Sequence, residues 1–484
     1  MADISFILDG NRVDLSGVDP TRTVLQYLRE DCLRTGSKEG CAEGDCGACT
    51  VVVAELEGDE LQFRAVNACI QFLPTLDGKA LFTVESLKST EGQLHPVQQS
   101  LVDHHASQCG FCTPGFVMSM FALYQNQPSA NRRQIDDALS GNLCRCTGYR
   151  PIIDACEHMY EYEAPAFDQA ALVDQLRVLQ SERGVTIRSD SGRYHAPKTL
   201  NELAQIYQQH PEAQILAGGT DVGLWVTKQL RDLPQLIYLG AVESLKEVKV
   251  DDQGIDIGAA VNLSDAFAAI EPSYPEFAEM FRRFASLPVR NAGTLVGNIA
   301  NGSPIGDSMP ALIAIGTEVV LRQGDRQRRI SMESLYLDYM KNAMEAGEFI
   351  ERIVIPPREP DLQLRCYKLS KRFDQDISAV CAAFALRLDQ DRIVDIHIAF
   401  GGMAAIPKRA HRTEQALLHQ NWNEAVCEAA CTKLDDDFTP MSDMRASSDY
   451  RARVSANLLR RFYLETRRDN SLRSEMINVF EVSA

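Results

Sequence analysis

The segment Gly40-Cys41-Ala42-Glu43-Gly44-Asp45-Cys46-Gly47-Ala48-Cys49 holds three cysteines in a C-x4-C-x2-C pattern, and Cys69 follows it. This is the spacing of plant-type [2Fe–2S] ferredoxins, whose core takes four thiolates, two per iron. Three of the four come from one loop that must curl, and Gly44 and Gly47 give its backbone the freedom to do so. Backbone N–H groups in such a loop can point at sulfur and tune the potential. A structural zinc site and unliganded buried thiols are the competing readings. Zinc sites more often use two C-x2-C-like knuckles, whereas this loop has one close pair and one wider pair. A [2Fe–2S] cluster on Cys41, Cys46, Cys49 and Cys69 is therefore expected.

A second set follows. Gln108-Cys109-Gly110-Phe111-Cys112-Thr113-Pro114-Gly115 contains C-x2-C, and Gly141-Asn142-Leu143-Cys144-Arg145-Cys146-Thr147-Gly148-Tyr149-Arg150-Pro151 contains C-x-C. Each pair sits where a loop meets an expected helix. Pro114 suits an early helical position, and helix N-termini favour thiolates. For Cys109, Cys112, Cys144 and Cys146 spacing alone leaves zinc and an iron–sulfur cluster equally open. Ten of the fourteen cysteines precede residue 160, and the last four (Cys366, Cys381, Cys427, Cys431) are scattered. A metal-rich N-terminal part and a different C-terminal part are implied.

Charge narrows the function classes. The net charge of −18 argues against nucleic acid, which needs a basic patch, and against an anionic membrane surface. No apolar run approaches the ~18 residues of a membrane span. The start, Met-Ala-Asp-Ile-Ser-Phe, shows no basic region followed by an apolar one, so no signal peptide is expected. Cytoplasm is the expected location, and there disulfides are rare.

At 484 residues the chain has room for about three domains at ~150 residues each. Phe6 and Leu8, a turn at Asp9-Gly10-Asn11, then Val13 and Leu15 predict a hairpin. Thr23 to Leu33 reads as a helix, with strands at Thr50–Leu56, Phe63–Ala68 and Leu81–Val84. From about His95 the period becomes helical: Val97–Val102, Gly115–Tyr124, Arg133–Leu139 and Ile152–Tyr162. Glu161 to about Ser189 reads as a linker with some helix. Tyr194 to Pro357 is mixed α/β, and the tail from Leu364 begins with strands (Ala379–Leu388, Ile393–Phe400) and turns helical.

Two glycine-rich loops stand out in the middle. Ile215-Leu216-Ala217-Gly218-Gly219-Thr220-Asp221-Val222-Gly223 is not the G-x-G-x-x-G dinucleotide fingerprint. Small residues with exposed N–H groups still suit a pyrophosphate, although a tight turn is the commoner meaning. Pro288 to Asp307, with Arg290-Asn291-Ala292-Gly293-Thr294-Leu295-Val296-Gly297-Asn298, offers small and amide residues. Its bland reading is a surface loop.

Both cysteine blocks resemble the iron–sulfur part of the xanthine dehydrogenase/molybdenum hydroxylase family. Q-C-G-F-C-T-P-G and G-N-L-C-R-C-T-G-Y-R-P are reproduced residue for residue. The loops L-A-G-G-T-D and R-N-x-G-T-x-x-G-N resemble the FAD-binding domain shared with carbon monoxide dehydrogenase medium subunits. The resemblance implies an α+β multidomain chain: a β-grasp, ferredoxin-like [2Fe–2S] domain (1–84), a four-helix [2Fe–2S] domain (85–163), a linker (164–190), an α+β FAD-binding domain of the vanillyl-alcohol-oxidase/PCMH type (191–360) and a C-terminal α+β domain like that of the CO dehydrogenase flavoprotein (361–484). It settles Cys109, Cys112, Cys144 and Cys146 as ligands of a second [2Fe–2S] cluster, nearer a molybdenum cofactor than the first. Ala217, Gly218, Gly219, Thr220 and Asp221, with Thr294, Gly297 and Asn298, would surround the FAD diphosphate. Asp307 would bond the ribityl or adenine side, Phe284 would lie over the isoalloxazine and Lys368 would approach the flavin. Gln108 would sit by the molybdopterin of a partner chain. Lys371 to Ile377 corresponds to a mobile loop near the flavin face. There Phe373 replaces a basic residue of the animal enzymes, which puts control of NAD access by this loop in doubt.

The function implied is that of the small subunit of a two-chain purine-oxidising dehydrogenase, with no purine-hydroxylating catalytic residue of its own. Electrons would enter from a molybdopterin-binding large subunit, cross both clusters to FAD and reduce NAD+, in an (αβ)2 assembly that converts hypoxanthine and xanthine to urate. An iron–sulfur/FAD subunit of an aldehyde or N-heterocycle hydroxylase is the first alternative. An electron-transfer module without hydroxylase activity is the second, and a zinc-stabilised interaction protein the third.

Overall fold

The computed structural model describes residues 3–89, 91–163, 167–180 and 184–478. The chain forms two compact units. One comprises residues 1–246, 262–264 and 286–294; the other comprises 247–261, 265–285 and 295–484. The region expected to form the FAD-binding domain, 191–360, contributes to both.

The first unit opens with the expected hairpin. Strands Ile4–Leu8 and Asn11–Leu15 pair antiparallel with Leu8 opposite Asn11. The two-residue turn Asp9-Gly10 takes φ of 50° and 80°, the left-handed pair that matches strand twist in tight hairpins. The sheet is completed by Ala80–Phe82, Thr50–Glu57 and Glu60–Asn67, in the order Asn11–Leu15, Ile4–Leu8, Ala80–Phe82, Thr50–Glu57, Glu60–Asn67. Ile4–Leu8 runs parallel to Ala80–Phe82 and every other pairing is antiparallel. The helix expected from Thr23 is one α-helical turn, Val24–Gln26, capped by Thr23, followed by a π-helical turn Tyr27–Asp31.

Four α-helices follow: Pro96–Asp103, Thr113–Asn126, Arg132–Leu139 and Arg150–His158. Gly115 to Ala122 is buried without a break, so Thr113–Asn126 is the central helix, enclosed on all sides. The stretch read as a linker is more ordered than its composition suggests. Asp168 caps helix Gln169–Leu179, whose Leu172, Leu176 and Leu179 join the same core as Phe116 and Phe121. The Ala164–Ala166 part of that stretch lies outside the described residues. A second sheet orders Val185–Ser189, Gly192–Ala196, Gln235–Tyr238 and Gln214–Leu216, the last three parallel. Its Tyr194, Leu216 and Leu236 share a core with Phe6 of the first sheet, Leu25 of its helical turn and Phe72, which lies beyond strand Glu60–Asn67.

The second unit holds an antiparallel sheet ordered Val248–Asp251, Gly254–Gly258, Phe349–Ile355, Glu318–Gln323, Arg326–Ser331. A further antiparallel sheet, Gln363–Leu369, Val380–Asp389, Arg392–Gly401 and Lys408–Arg409, packs on helices Glu424–Asp437 and Ser448–Thr466 through Phe384, Phe400 and Phe462. Cys427 and Cys431, one helical turn apart, are buried there and point thiols at the carbonyls of Leu459 and Ala456. Among the described residues no helix is long and apolar enough to cross a membrane.

Candidate redox centres

The first cysteine loop is shaped by left-handed residues. Ala42, Gly44 and Gly47 have φ of 55°, 77° and 69°, which turns successive amides inward. The N–H groups of Glu43 and Cys46 donate to the Cys41 sulfur at 3.5 and 3.4 Å. A Cβ on Gly40 would stand 2.8 Å from the Cys46 sulfur, so glycine makes room for the thiol there. Cys69, delivered from beyond strand Glu60–Asn67, completes the group. Its contacts with Cys41 and Cys49 push its thiol well up, and contact with Cys46 and Cys69 holds Cys41 well down. Cys41 and Cys69 thus neighbour each other, and each has one further cysteine beside it, Cys46 and Cys49 respectively. Cys49 and Cys69 are buried, and Cys41 and Cys46 half-buried.

The second set is built from two helix ends. Cys112 immediately precedes helix Thr113–Asn126, with Pro114 in its first turn. Cys144 and Cys146 lie on the loop entering Arg150–His158. Gly110, Gly148 and Tyr149 all take positive φ, of 81°, 70° and 70°. The Cys146 and Cys109 sulfurs are 3.6 Å apart. Burial and the neighbouring Cys144 push Cys112 up to about 12. Thr147 donates to the Cys144 sulfur from its N–H (3.5 Å) and its hydroxyl (3.1 Å). Cys109 and Cys146 are exposed, Cys112 half-buried and Cys144 buried.

Among the described residues no three His, Cys, Asp or Glu side chains converge on a single ion position. In the second set the Cys109 and Cys146 sulfurs approach as a pair, and in the first set Cys41 neighbours both Cys46 and Cys69. A [2Fe–2S] core takes two thiolates on each of two irons, so its ligands need not meet at one point. All-thiol donor sets with backbone N–H groups aimed at sulfur fit that group.

Both glycine-rich loops meet within the first unit. Strand Gln214–Leu216 ends in Ala217 to Asp221, which leads into Val222–Thr227. A Cβ on Gly218 would lie 2.0 Å from the Ala292 carbonyl oxygen, and one on Gly293 would lie 3.0 Å from Thr220 Oγ1. Only bare backbone permits that approach. Thr294 is buried beside them, and burial raises the Asp221 carboxyl. The first cysteine loop rests on the same segment. The Ile70 carbonyl would sit 2.6 Å from a Cβ on Gly223, Thr227 Oγ1 donates to the Ala42 carbonyl at 2.8 Å, and Lys228 pairs with Glu43 at 3.4 Å.

The second unit holds the remaining candidates. Gly297 and Asn298 lie on helix Leu295–Asn301, where Asn298 Oδ1 accepts from the Ser308 hydroxyl at 2.5 Å. Asp307 and Lys368 are both buried. Lys368 Nζ donates to Asp307 Oδ2 (2.5 Å), the Asp376 carbonyl (2.8 Å) and Ser378 Oγ (3.0 Å), and Ser378 Oγ donates to Asp307 Oδ1 at 2.5 Å. All three ammonium donors are thus used within the protein. Sequence reasoning gave Lys368 and Asp307 separate roles; the fold makes them one ion pair. Phe284 is half-buried, edge-on to Phe267 with ring centres 5.5 Å apart.

Arg283, to which the sequence gave no role, organises the Lys371–Ile377 loop. Its guanidinium lies 4.2 Å from the Phe373 ring centre. Nε donates to the Phe373 carbonyl at 3.0 Å and Nη1 to the Lys368 carbonyl at 3.1 Å. The aromatic at position 373 is the half of this contact visible in sequence; its partner, 90 residues away, carries no motif.

Four family models match the chain: a 2Fe-2S iron-sulfur cluster binding domain at 6–73, a [2Fe-2S] binding domain at 83–157, the FAD binding domain in molybdopterin dehydrogenase at 188–358, and the CO dehydrogenase flavoprotein C-terminal domain at 365–466. Xanthine dehydrogenase of Emericella nidulans is 31% identical over 95% of this chain and 38% of its own length. That of Drosophila subobscura is 32% identical over 95% of this chain and 39% of its own. Aldehyde oxidase 2 of Macaca fascicularis is 28% identical, covering 96% and 39%. The chain therefore spans under two-fifths of the length of these relatives. Among solved structures, a carbon monoxide dehydrogenase chain of Hydrogenophaga pseudoflava superposes with a TM-score of 0.53 at 25% identity, covering 55% of this chain and 94% of that one. A chain of quinoline 2-oxidoreductase from Pseudomonas putida 86 does so at 0.52 and 24%, covering 58% and 98%, a likeness of fold. With both iron–sulfur domains, the FAD-binding domain and the flavoprotein C-terminal domain in a single sequence, the chain belongs to the molybdenum hydroxylase family as an iron–sulfur/FAD chain.

Proposed function

We propose that this chain is the small subunit of a xanthine dehydrogenase, working with a molybdopterin-binding large subunit and with NAD+ as final acceptor. The carrying observation is a sequence of contacts inside the first unit. The Cys144 loop touches the Cys46 loop through the N–H of Leu143, which donates to the Cys46 carbonyl at 3.0 Å. The Cys69-Ile70 segment in turn packs on the glycine loop at Gly223. Bound clusters carry single electrons, and bound flavin exchanges them for a hydride with NAD+. The chain's own residues bind and tune. Cys41, Cys46, Cys49 and Cys69, and Cys109, Cys112, Cys144 and Cys146, hold the clusters. Within the first unit Ala217 to Asp221 and Thr294 would serve the FAD diphosphate; within the second, Gly297 and Asn298 keep the role the resemblance implies, Phe284 would flank the flavin ring and the Asp307–Lys368 pair would fix charge on the flavin side. The exposed Cys109 and Cys146 suit delivery of electrons from a partner.

An aldehyde or N-heterocycle hydroxylase is the second reading, favoured by the aldehyde oxidase relative and the quinoline oxidoreductase likeness. The test is turnover of the co-purified complex with xanthine, an aldehyde and nicotinate, each with NAD+ or O2. Xanthine-dependent NADH formation is expected. No xanthine turnover by an intact molybdenum-loaded complex overturns the proposal, and turnover of only one of the other substrates establishes the second reading. About four irons and one FAD per chain are expected.

A further inference from the structure

The contact between the two cysteine loops is more elaborate than their docking requires. Asn142 is 3% exposed and lies two residues before Cys144. Its Nδ2 donates to the Gly47 carbonyl at 3.1 Å and to Thr50 Oγ1 at 3.2 Å. Its Oδ1 accepts from Ser119 Oγ at 2.6 Å, and Thr50 Oγ1 itself donates to the Gly47 carbonyl at 2.7 Å. Every polar atom of this amide thus faces a partner, and each partner is buried. Two glycines allow the approach. A Cβ on Gly47 would lie 2.1 Å from the Gly141 carbonyl oxygen, and one on Gly115 would lie 2.1 Å from the Gly47 carbonyl oxygen. Gly141 itself faces Pro288, 2.6 Å from where its Cβ would be.

The outcome is a fixed relation between two thiol ligands. From Cys46 the path runs along its own backbone to the carbonyl, across one hydrogen bond to the N–H of Leu143, and along the chain to Cys144. Only one link is not covalent. Electron tunnelling decays faster across a gap than along bonds or a short hydrogen bond, so the length of that one link governs the exchange. The Asn142 amide brackets it from the next residue on either side.

We propose that Asn142, oriented by Ser119, is a positioning residue that sets the electronic coupling between the two iron–sulfur sites by fixing the Leu143 N–H to Cys46 carbonyl bond. The proposal rests on the reading of both cysteine sets as [2Fe–2S] ligands. With clusters bound, one electron crossing the link would leave the group held by Cys109, Cys112, Cys144 and Cys146 oxidised by one electron and the group held by Cys41, Cys46, Cys49 and Cys69 reduced by one. No proton moves and no bond changes. The hydrogen bonds of Asn142 go to Ser119, Gly47 and Thr50 and to no cysteine sulfur, so it acts through the loops.

The full chain, reduced with dithionite and frozen, gives the test. Two reduced clusters held close together split each other's electron paramagnetic resonance lines, and that splitting reads their coupling independently of turnover. Asn142→Asp keeps the shape of the side chain but replaces its donor with an oxygen facing the Gly47 carbonyl. The expected result is full iron content, a diminished splitting and a several-fold slower redistribution of electrons between the sites after a reducing flash. The control is Asn126→Ala. Asn126 joins the central helix to strand Glu60–Asn67 by two bonds to Phe63, at 2.7 and 3.3 Å, away from the cysteine loops. It is expected to lower stability and leave the splitting unchanged.

If Asn142→Asp loses iron, Ser119→Ala decides, because it frees the amide without placing a charge. A weaker splitting at full iron content supports the proposal. An unchanged splitting in either variant at full iron content overturns it, as does an equal loss in Asn126→Ala or iron loss in Ser119→Ala as well. A wild-type chain without iron would instead refute the cluster reading itself.

Discussion

The two cysteine sets differ in how they are enclosed. The first is wrapped by its own loop, with Cys49 and Cys69 buried and two backbone N–H groups on the Cys41 sulfur. The second leaves Cys109 and Cys146 exposed, with Phe111, Leu143 and Tyr149 also exposed nearby in sequence. The first spends its glycines on close packing: Gly44 and Gly47 have positive φ, and a Cβ on either would collide with Ile70 or with Gly141. The second spends Gly110 and Gly148 on backbone shape alone, since a Cβ on either meets nothing within 4 Å. One site is closed by steric fit and the other is held open by turn conformation.

Glycine substitutions test that contrast most strongly. Gly47→Ala must relieve both a φ of 69° and a 2.1 Å approach to a backbone oxygen. The expected loss is more than about 3 kcal/mol, with iron missing from the first site. Gly110→Ala faces only the left-handed backbone, so about 1–2 kcal/mol is expected, with iron retained at both sites. Thermal melting with iron analysis checks both. Equal losses would show that the second loop is packed as tightly as the first.

Acid should separate the domains that carry the two sets. His95 caps helix Pro96–Asp103, accepting from the Val97 N–H at 3.3 Å, and is packed edge-on against Phe121 and Tyr124. Burial pushes its imidazole down to about 4. The folded value lies below the unfolded one, near 6.5, so the contribution is fully present above that pH and is lost as pH falls toward about 4. At most about 3 kcal/mol is involved. Melting from pH 7 to 4 should show a steeper decline in the wild type than in His95→Gln. Parallel curves would mean that His95 stays solvated.

Motif residues were legible in sequence because their chemistry is local. The Asp9-Gly10 turn and the C-x4-C-x2-C loop are short segments whose residue types point to their chemistry, whereas the second cysteine set and both glycine loops took their expected roles from the resemblance. Contacts between distant segments were not legible. Nothing in the sequence near Lys368 shows that Asp307, 61 residues earlier, takes its proton donors. Arg283 has no neighbour in sequence that announces Phe373. Asn142 lies in the Gly141–Pro151 motif, but its role is not legible there, since its partners Ser119, Gly47 and Thr50 come from segments 23 to 95 residues away. The helix expected within the linker stretch is present as Gln169–Leu179, and its packing was the part not legible. The polar residues of Gln169–Leu179 dominate its composition, whereas burial of Leu172, Leu176 and Leu179 decides its order.

The smallest expected effect lies at the open site itself. Tyr149 holds a φ of 70°, unusual for an aromatic residue, and its hydroxyl accepts the Cys144 N–H at 3.0 Å. The hydroxyl therefore takes up an amide that in the first loop, at Glu43 and Cys46, would be aimed at sulfur. Tyr149→Phe keeps the ring and the backbone strain and removes only that acceptor. A loss of about 1 kcal/mol is expected, because the Cys144 N–H loses its acceptor at a part-buried position and must turn to water or to sulfur. If it turns to sulfur, the second site adds an N–H to sulfur bond to the one that Thr147 already makes to Cys144, and its reduction potential rises while that of the first site stays fixed. Redox titration followed by electron paramagnetic resonance separates the two. A shift at both sites would show that the loops share one electrostatic environment and would erase the contrast between closed and open thiol sets.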